Sequence, residues 1–314
     1  MESYPPLFRN PTANLDSIPT RYPNLDLPII NLAHLDQAQL GEACRELGLF
    51  RLINHGIPSP LAAQLHAESK RILSLPFESK RAGLVGPVSY FWGSPVVSLS
   101  VGDVNWLEAI HAPLGKIQEV GDDLGLCSSF RSLAYHYGLH MARISKTIFD
   151  ALLTDLKLDT EVSSSYLHES DGILRVYRYP CCPETMKYLG MVAHTDSSVL
   201  SILNQVDVGG LQVLHNDQWF NVEPISETLV VNLGDMMQAM SNDEYKSVEH
   251  RVLASGSKER MSLCYFAFPK EDAVIVNSKY KAFTYKEFSA KVREDTKLYG
   301  YKVGLEHFMV KKQT

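Results

Sequence analysis

From Gly172 onward the chain breaks into short runs rich in β-branched and aromatic residues, cut off by Gly, Asn, Asp or Pro: Ile173–Tyr179, Leu200–Asn204, Leu211–Leu214, Thr228–Leu233, Ser247–Ala254 and Arg260–Phe268. Short strands at such intervals point to a sandwich or barrel rather than a doubly wound sheet. A capping box at Thr284 and Glu287 then opens a final helix that buries Phe288 and Val292.

Upstream the periodicity is helical. Leu133, Tyr137, Met141, Ile144, Ile148 and Leu152 recur at spacings of three and four, which predicts one long amphipathic helix over Ser129–Leu156. Nearer the N-terminus, Leu27–Leu35 is a strand candidate and Asp36 caps a helix bearing Leu40, Ala43, Cys44 and Leu47, which Gly48 ends. Leu49–Ile53 follows as a strand, His55-Gly56-Ile57-Pro58 as a turn, and Ser59 opens a second helix through Leu73. Ala82–Pro113, with Tyr90, Trp92 and Trp106, reads as irregular loops and short strands beside a pocket. The expected fold class is therefore α+β with a mainly β core. Residues 1–125 form a strand and helix layer, and residues 126–314 hold the long helix, the β core and the C-terminal helix. The absence of repeats, low-complexity tracts and linkers makes these parts one body.

With 314 residues and 45% hydrophobic content, the chain needs neither disulfide nor metal to fold, so a metal site would be functional. No run nears the roughly 20 apolar residues of a membrane helix, and Pro5, Pro6, Asn10 and Pro11 stand where a signal peptide would be apolar. Cys44, Cys127, Cys181, Cys182 and Cys264 are odd in number and lack CxxC spacing, which fits a reducing compartment. A net charge of −6 without a Lys/Arg block offers nothing for nucleic acid or an anionic membrane. A cytoplasmic monomer with a small-molecule substrate is expected.

His194-Thr195-Asp196 ends an apolar approach, and in an extended chain residues i and i+2 point the same way, so an imidazole and a carboxylate converge. With His250 they make a 2-His-1-carboxylate facial triad, the donor set of non-haem Fe(II) oxygenases; the same donors also accept zinc. Alone, His-x-Asp recurs by chance and equally describes a surface His beside a capping Asp. The balance changes with Arg260-Met261-Ser262, a second i, i+2 pair at the head of an apolar strand. If Ser247–Ala254 and Arg260–Phe268 form a hairpin across Ser255-Gly256-Ser257-Lys258, His250 stands nearly opposite Ser262, and the guanidinium shares a pocket with the metal. A guanidinium beside a hydroxyl in a barrel interior requires a carboxylate, which a dicarboxylate chelating the metal supplies; an isolated Arg260 would more commonly pair with a surface acid such as Glu259 or Asp243. Tyr179 reads equally as a further donor to the dicarboxylate and as a buried core tyrosine. Gly209-Gly210 reads as a turn entering a strand, and Trp219, Tyr90, Trp92 and Phe266 are candidates for the lining of an apolar substrate cavity. No G-x-S-x-G elbow, Walker loop or G-x-G-x-x-G motif supports a hydrolase or nucleotide-binding reading.

Leu49–Ile57, Arg175–Pro183, His194-Thr195-Asp196, Gly210–Val213, Asn232–Asp235, His250-Arg251-Val252 and Arg260-Met261-Ser262 together resemble the plant 2-oxoglutarate- and Fe(II)-dependent dioxygenases, over about Leu27 to Val310. Ser241–His250, Ser89–Pro95 with Trp106–Pro113, and Val292–Phe308 are similar to the gibberellin 2-oxidases that act on C20 gibberellins. The resemblance implies a double-stranded β-helix (a cupin-like jelly roll) flanked by helices, Fe(II) and 2-oxoglutarate with ascorbate as reductant, O2 as oxidant, and inactivating 2β-hydroxylation of a diterpenoid hormone. It leaves open another hormone or specialised metabolite, such as an auxin, phenolic or alkaloid, and an idle barrel that binds 2-oxoglutarate or a hormone. The chain departs from the pattern at three places: Tyr177 stands where relatives usually have Asn, Cys181 where they have Pro, and Phe91 where C20-gibberellin enzymes often carry Arg or another polar residue.

Overall fold

The structure is a computed structural model and describes residues 2–9, 22–93, 105–119, 127–158, 166–167, 172–181 and 189–310. Cys182, Pro183, Asn10, Pro11 and the 94–104 part of the Ala82–Pro113 stretch lie outside the described residues. In chain order the strands are β1 Ile29–Asn31, β2 Leu49–Ile53, β3 Ser89–Trp92, β4 Glu108–Pro113, β5 Ile173–Tyr179, β6 Leu189–His194, β7 Leu200–Asn204, β8 Leu211–His215, β9 Gln218–Asn221, β10 Leu229–Leu233, β11 His250–Leu253 and β12 Arg260–Ala267. The helices are α1 Pro6–Arg9, α2 Gln37–Glu46, α3 Ser59–Leu73, α4 Phe77–Gly83, α5 Ser128–Asp155, α6 Asp235–Met240 and α7 Tyr285–Tyr299.

Two sheets hold these strands, and a separate two-stranded ribbon pairs Val274–Ile275 with Phe283–Thr284. The larger runs β1-β2-β10-β7-β12-β5-β4-β3, and the smaller runs β6-β11-β8-β9. The sheets close on each other as a jelly roll, and Gly190 on β6 marks the approach. A Cβ there would stand 2.6 Å from Cδ1 of Tyr179 on β5, so only glycine leaves room for that ring.

The outer face of the larger sheet packs on α5, whose buried Phe130, Ala134, Tyr137, Met141, Ile144, Ile148 and Leu152 follow a helical repeat. Beneath it β12 sorts its side chains by parity: Met261, Leu263, Tyr265 and Ala267 join the core under α5, while Cys264 and Phe266 join an apolar cluster inside the roll. Asp36 caps α2, accepting from the amides of Ala38 and Gln39, and the Thr284–Glu287 capping box opens α7. Among the described residues no helix is long and apolar enough to cross a membrane.

The expected hairpin of Ser247–Ala254 with Arg260–Phe268 does not form. Strand β11 is already paired on both edges, with β6 and β8, and β12 with β5 and β7. Residues 254–259 instead carry the chain from the smaller sheet to the larger. His250 accordingly stands opposite His194 and Val213, and Ser262 stands opposite Tyr177. Within residues 82–113, expected as irregular loops and short strands, β3 and β4 pair as a regular ribbon that extends the larger sheet.

Candidate active site

His194 ends β6, Asp196 follows in the turn, and His250 opens β11, the strand hydrogen-bonded to β6. The register sets the two imidazoles side by side, with ring centroids 4.3 Å apart. Nε2 of His194 lies 3.6 Å from Oδ1 of Asp196, and Nε2 of His250 lies 3.9 Å from Oδ2. One donor atom from each residue falls within 4.8 Å of the others. Each imidazole turns its Nδ1 to a carbonyl two residues back, 2.8 Å to Val192 and 3.2 Å to Val248. These contacts direct both Nε2 atoms inward, as second-partner bonds do for metal-binding histidines.

Across the interior, Arg260 is 1% exposed and sits opposite Tyr179 in register, its guanidinium carbon 4.8 Å over that ring. Its Nη1 donates to Ser262 Oγ at 3.0 Å and its Nη2 to Gln205 Oε1 at 3.4 Å, while its buried Nε has no partner. Gly210 (φ +116°) is a close-approach glycine whose Cβ would stand 2.6 Å from the Leu253 carbonyl oxygen and 3.6 Å from Arg260 Cδ.

The aromatic residues divide differently from expectation. Tyr90 and Trp92 face out of the roll: the Tyr90 hydroxyl donates to Glu108, and Trp92 packs edge-on against Phe8 and Phe77. With one more residue in the count, the side chain between them, Phe91, turns inward against Tyr177, its ring centroid 6.4 Å away. Phe266 shares that inner cluster. Trp219 lies under the Arg251 guanidinium, 4.0 Å away. Strand parity separates these residues, and short strands expected somewhere in residues 82–113 without their bounds do not supply it.

Residues 170–269 match the family model of the 2OG-Fe(II) oxygenase superfamily, and residues 27–111 match that of the non-haem dioxygenase N-terminal region from morphine synthesis. Gibberellin 2-beta-dioxygenase 6 of Oryza sativa subsp. japonica is 37% identical over 305 residues, spanning 90% of this chain and 85% of that protein. Gibberellin 2-beta-dioxygenase 8 of Arabidopsis thaliana is 36% identical, spanning 91% and 87%. The chain belongs to the 2OG-Fe(II) oxygenases. Among solved structures, JOX2 in complex with 2OG, Fe and JA superposes with a TM-score of 0.78 at 28% identity, covering 95% of this chain and 96% of that one.

The electrostatics of this 2-oxoglutarate-dependent dioxygenase fit an iron between the three donors. Burial pulls His194 down to about 4, and His250 acts the same way against the opposing pull of Asp196, so the ring is a neutral ligand near pH 7. Burial alone would raise the Asp196 carboxyl, but both imidazoles, Ser201 and Asn232 outweigh it and hold the group at about 2. For the co-substrate, the decisive observation is Arg260 itself. Among the described residues its side-chain hydrogen bonds go to Ser262 and Gln205 and none to an acid, and a buried guanidinium with an unpartnered Nε is suited to a carboxylate. Burial lowers the Arg260 pKa, and burial raises the Tyr179 phenol, which stays a proton donor.

Sequence reasoning missed the residues that hold Asp196 in place. Asn232 Nδ2 donates to Asp196 Oδ2 at 2.8 Å, and the Asp235 amide donates to the Asp196 carbonyl at 2.7 Å. Lys302 Nζ donates to the Thr195 carbonyl at 2.7 Å and pairs with Asp235. Gly234 permits the approach, since a Cβ there would stand 2.1 Å from the Ser198 carbonyl oxygen. The Asn232-Leu233-Gly234-Asp235 run was the available signal: a polar residue ending an otherwise apolar strand, followed by glycine.

Proposed function

We propose that this dioxygenase hydroxylates a small apolar plant metabolite, namely a C20 gibberellin at the 2β position, and thereby inactivates it. His194, Asp196 and His250 hold the iron; Arg260, Ser262 and Tyr179 hold the far carboxylate of 2-oxoglutarate. The observation that carries the co-substrate reading is the buried Arg260 without an acid of its own. Similarity to two gibberellin 2-beta-dioxygenases across nine-tenths of the chain supports the substrate. When bound, Fe(II) supplies the redox chemistry by which O2 converts 2-oxoglutarate to succinate and CO2 and places its second oxygen atom in a C–H bond of the substrate.

The chain's own contribution is orientation. The backbone carbonyls of Val192 and Val248 fix the two imidazoles, Asn232 fixes the carboxylate, and Arg260 with Ser262 fixes one end of the keto-diacid, so the other end reaches the metal. The apolar walls formed by Leu107, Val252, Cys264 and Phe266 keep water from the reacting bond. The free thiols of Cys44, Cys127, Cys181 and Cys264 suit a reducing compartment, which we take to be the cytoplasm; a monomeric state and ascorbate as reductant are parts of the same proposal.

The test is purified protein with Fe(II), ascorbate and 2-oxoglutarate against C20 and C19 gibberellins, an auxin, JA and phenolic acceptors, read as succinate release and product mass. Succinate with a C20 gibberellin one oxygen heavier is expected, and Asp196→Ala, which deletes an iron ligand, abolishes it. Turnover of an auxin, JA or a phenol without any gibberellin would overturn the substrate. Iron-independent behaviour with every acceptor would favour an idle barrel. Tyr177 and Phe91, inward-facing departures from the usual pattern, are what favours a different acceptor.

A further inference from the structure

Strand β5 sends three side chains into the roll, Arg175, Tyr177 and Tyr179, at two-residue intervals. Tyr179 is level with Arg260, while Arg175 is level with Cys264 on one side and His111 on the other. Four residues of strand separate the two levels, on the order of 13 Å. Arg175 thus faces the same interior as Arg260 but two inward positions away from Tyr179 along β5.

We infer that Arg175 is the anchor for a carboxylate of the primary substrate, held ready by His111 and Tyr177 between the rings of Phe91 and Phe266. Its Nε donates to His111 Nδ1 at 3.2 Å and its Nη1 to the Tyr177 hydroxyl at 3.3 Å. The guanidinium carbon lies 5.8 Å from the Phe91 centroid and 5.1 Å from that of Phe266. These contacts immobilise the fork without neutralising it. Among the described residues no carboxylate lies within ion-pair distance of Arg175, and Nη2 makes no hydrogen bond. The acid whose charge reaches it, Asp196, is committed to the two imidazoles and Asn232.

The chain does supply an acid where a β5 arginine is structural: Arg178, three residues on, points out of the roll onto the buried Glu108. A planar guanidinium set among aromatic rings matches a carboxylate carried on an apolar scaffold, since the rings bury the scaffold while the fork takes both oxygens.

The inference rests on the reading of the chain as a hydroxylase of an apolar acid and is tested apart from it. Wild type, Arg175→Met and Arg175→Lys are assayed with several apolar acids, gibberellins among them, and with the methyl ester of each. The KM for 2-oxoglutarate is measured in the same reactions. In wild type the acid should have the lower KM by roughly tenfold to a hundredfold, the scale of a charge-assisted hydrogen-bonded pair. Arg175→Met should raise the KM of the acid to that of the ester, leave the KM for 2-oxoglutarate at its wild-type value, and be partly corrected in Arg175→Lys. Equal treatment of acid and ester by wild type, an unchanged acid KM in Arg175→Met, or a KM for 2-oxoglutarate that rises in step with that of the acid overturns the assignment. If no gibberellin is turned over but another acid shows the Arg175-dependent preference, the anchor stands and the hormone reading falls.

Discussion

The two faces of strand β5 treat positive charge in opposite ways. On the outer face Arg178 and Lys80, 2% and 0% exposed at their side chains, converge on Glu108, itself fully buried, and Tyr90 donates to the same carboxylate. Lys80 also donates to the carbonyls of Ser3 and Leu73, so every proton of that ammonium has an acceptor. On the inner face Arg260 is as deeply buried, and Arg175 is half-buried, yet each has only neutral partners. Desolvating a cation is costly, and a fold that needs it only for stability answers it with an acid of its own. A cation left unanswered in the interior is kept for a charge that arrives from outside.

The largest test of that contrast is Glu108→Ala, which strands two buried cations. Loss of one partner from a buried ionic network costs about 3 to 5 kcal/mol, read as a fall in the free energy of urea unfolding. A variant as stable as wild type would erase the structural role of the outer cluster. Arg260→Met is the counterpart on the inner face. It removes a charge-assisted bond of about 1.5 to 3 kcal/mol, so the KM for 2-oxoglutarate should rise roughly tenfold to a hundredfold. Its urea midpoint without co-substrate should stay level or increase, because an unpaired buried charge is gone. Destabilisation comparable to that of Glu108→Ala would show that the inner cation is structural after all.

Much of this arrangement is legible in the residues, but unevenly. Elements defined by local chemistry came through: the Asp36 cap, the Leu49–Ile53 strand, the long amphipathic helix, the capping box at Thr284 and most β runs. His194 and Asp196 were readable because the His-x-Asp spacing is local, although β6 ends at His194 and Asp196 lies just beyond it. Pairing was not. Whether β11 folds back on β12 or crosses to another sheet depends on which edges β6, β8, β5 and β7 occupy, and such partners lie far off in sequence, as Cys264 does from Arg175. Parity failed for the same reason at β3: without a strand, Tyr90 and Trp92 could not be told from Phe91. The Asn232–Asp235 run and Lys302 act on the Asp196 segment from two distant stretches of chain, which only the closed roll brings together.

The finest test uses pH. His111, on the inner face, is pulled down to about 4 by burial and then by the neighbouring Arg175, whereas an exposed imidazole titrates near 6.5. As pH falls below about 6.5 the unfolded chain takes up a proton that the folded chain refuses until about 4. The unfolded state therefore binds more protons, and native stability declines across that window as pH is lowered. Below about 4 both states are protonated and the contribution stops changing. Lys80 on the outer face is shifted in the alkaline range instead, to about 8, by burial against the pull of Glu108, so its window lies above that of His111. His55, His66 and His194 are also lowered and share the acid slope, which makes the difference between proteins the informative quantity. His111→Asn, whose amide oxygen can still accept from Arg175 Nε, should unfold in urea with a shallower stability decline between pH 6.5 and 4 and the same behaviour above pH 7. Identical slopes in the two proteins would mean that the imidazole is charged beside Arg175, and with it the claim that the inner face holds that guanidinium among neutral partners would fail.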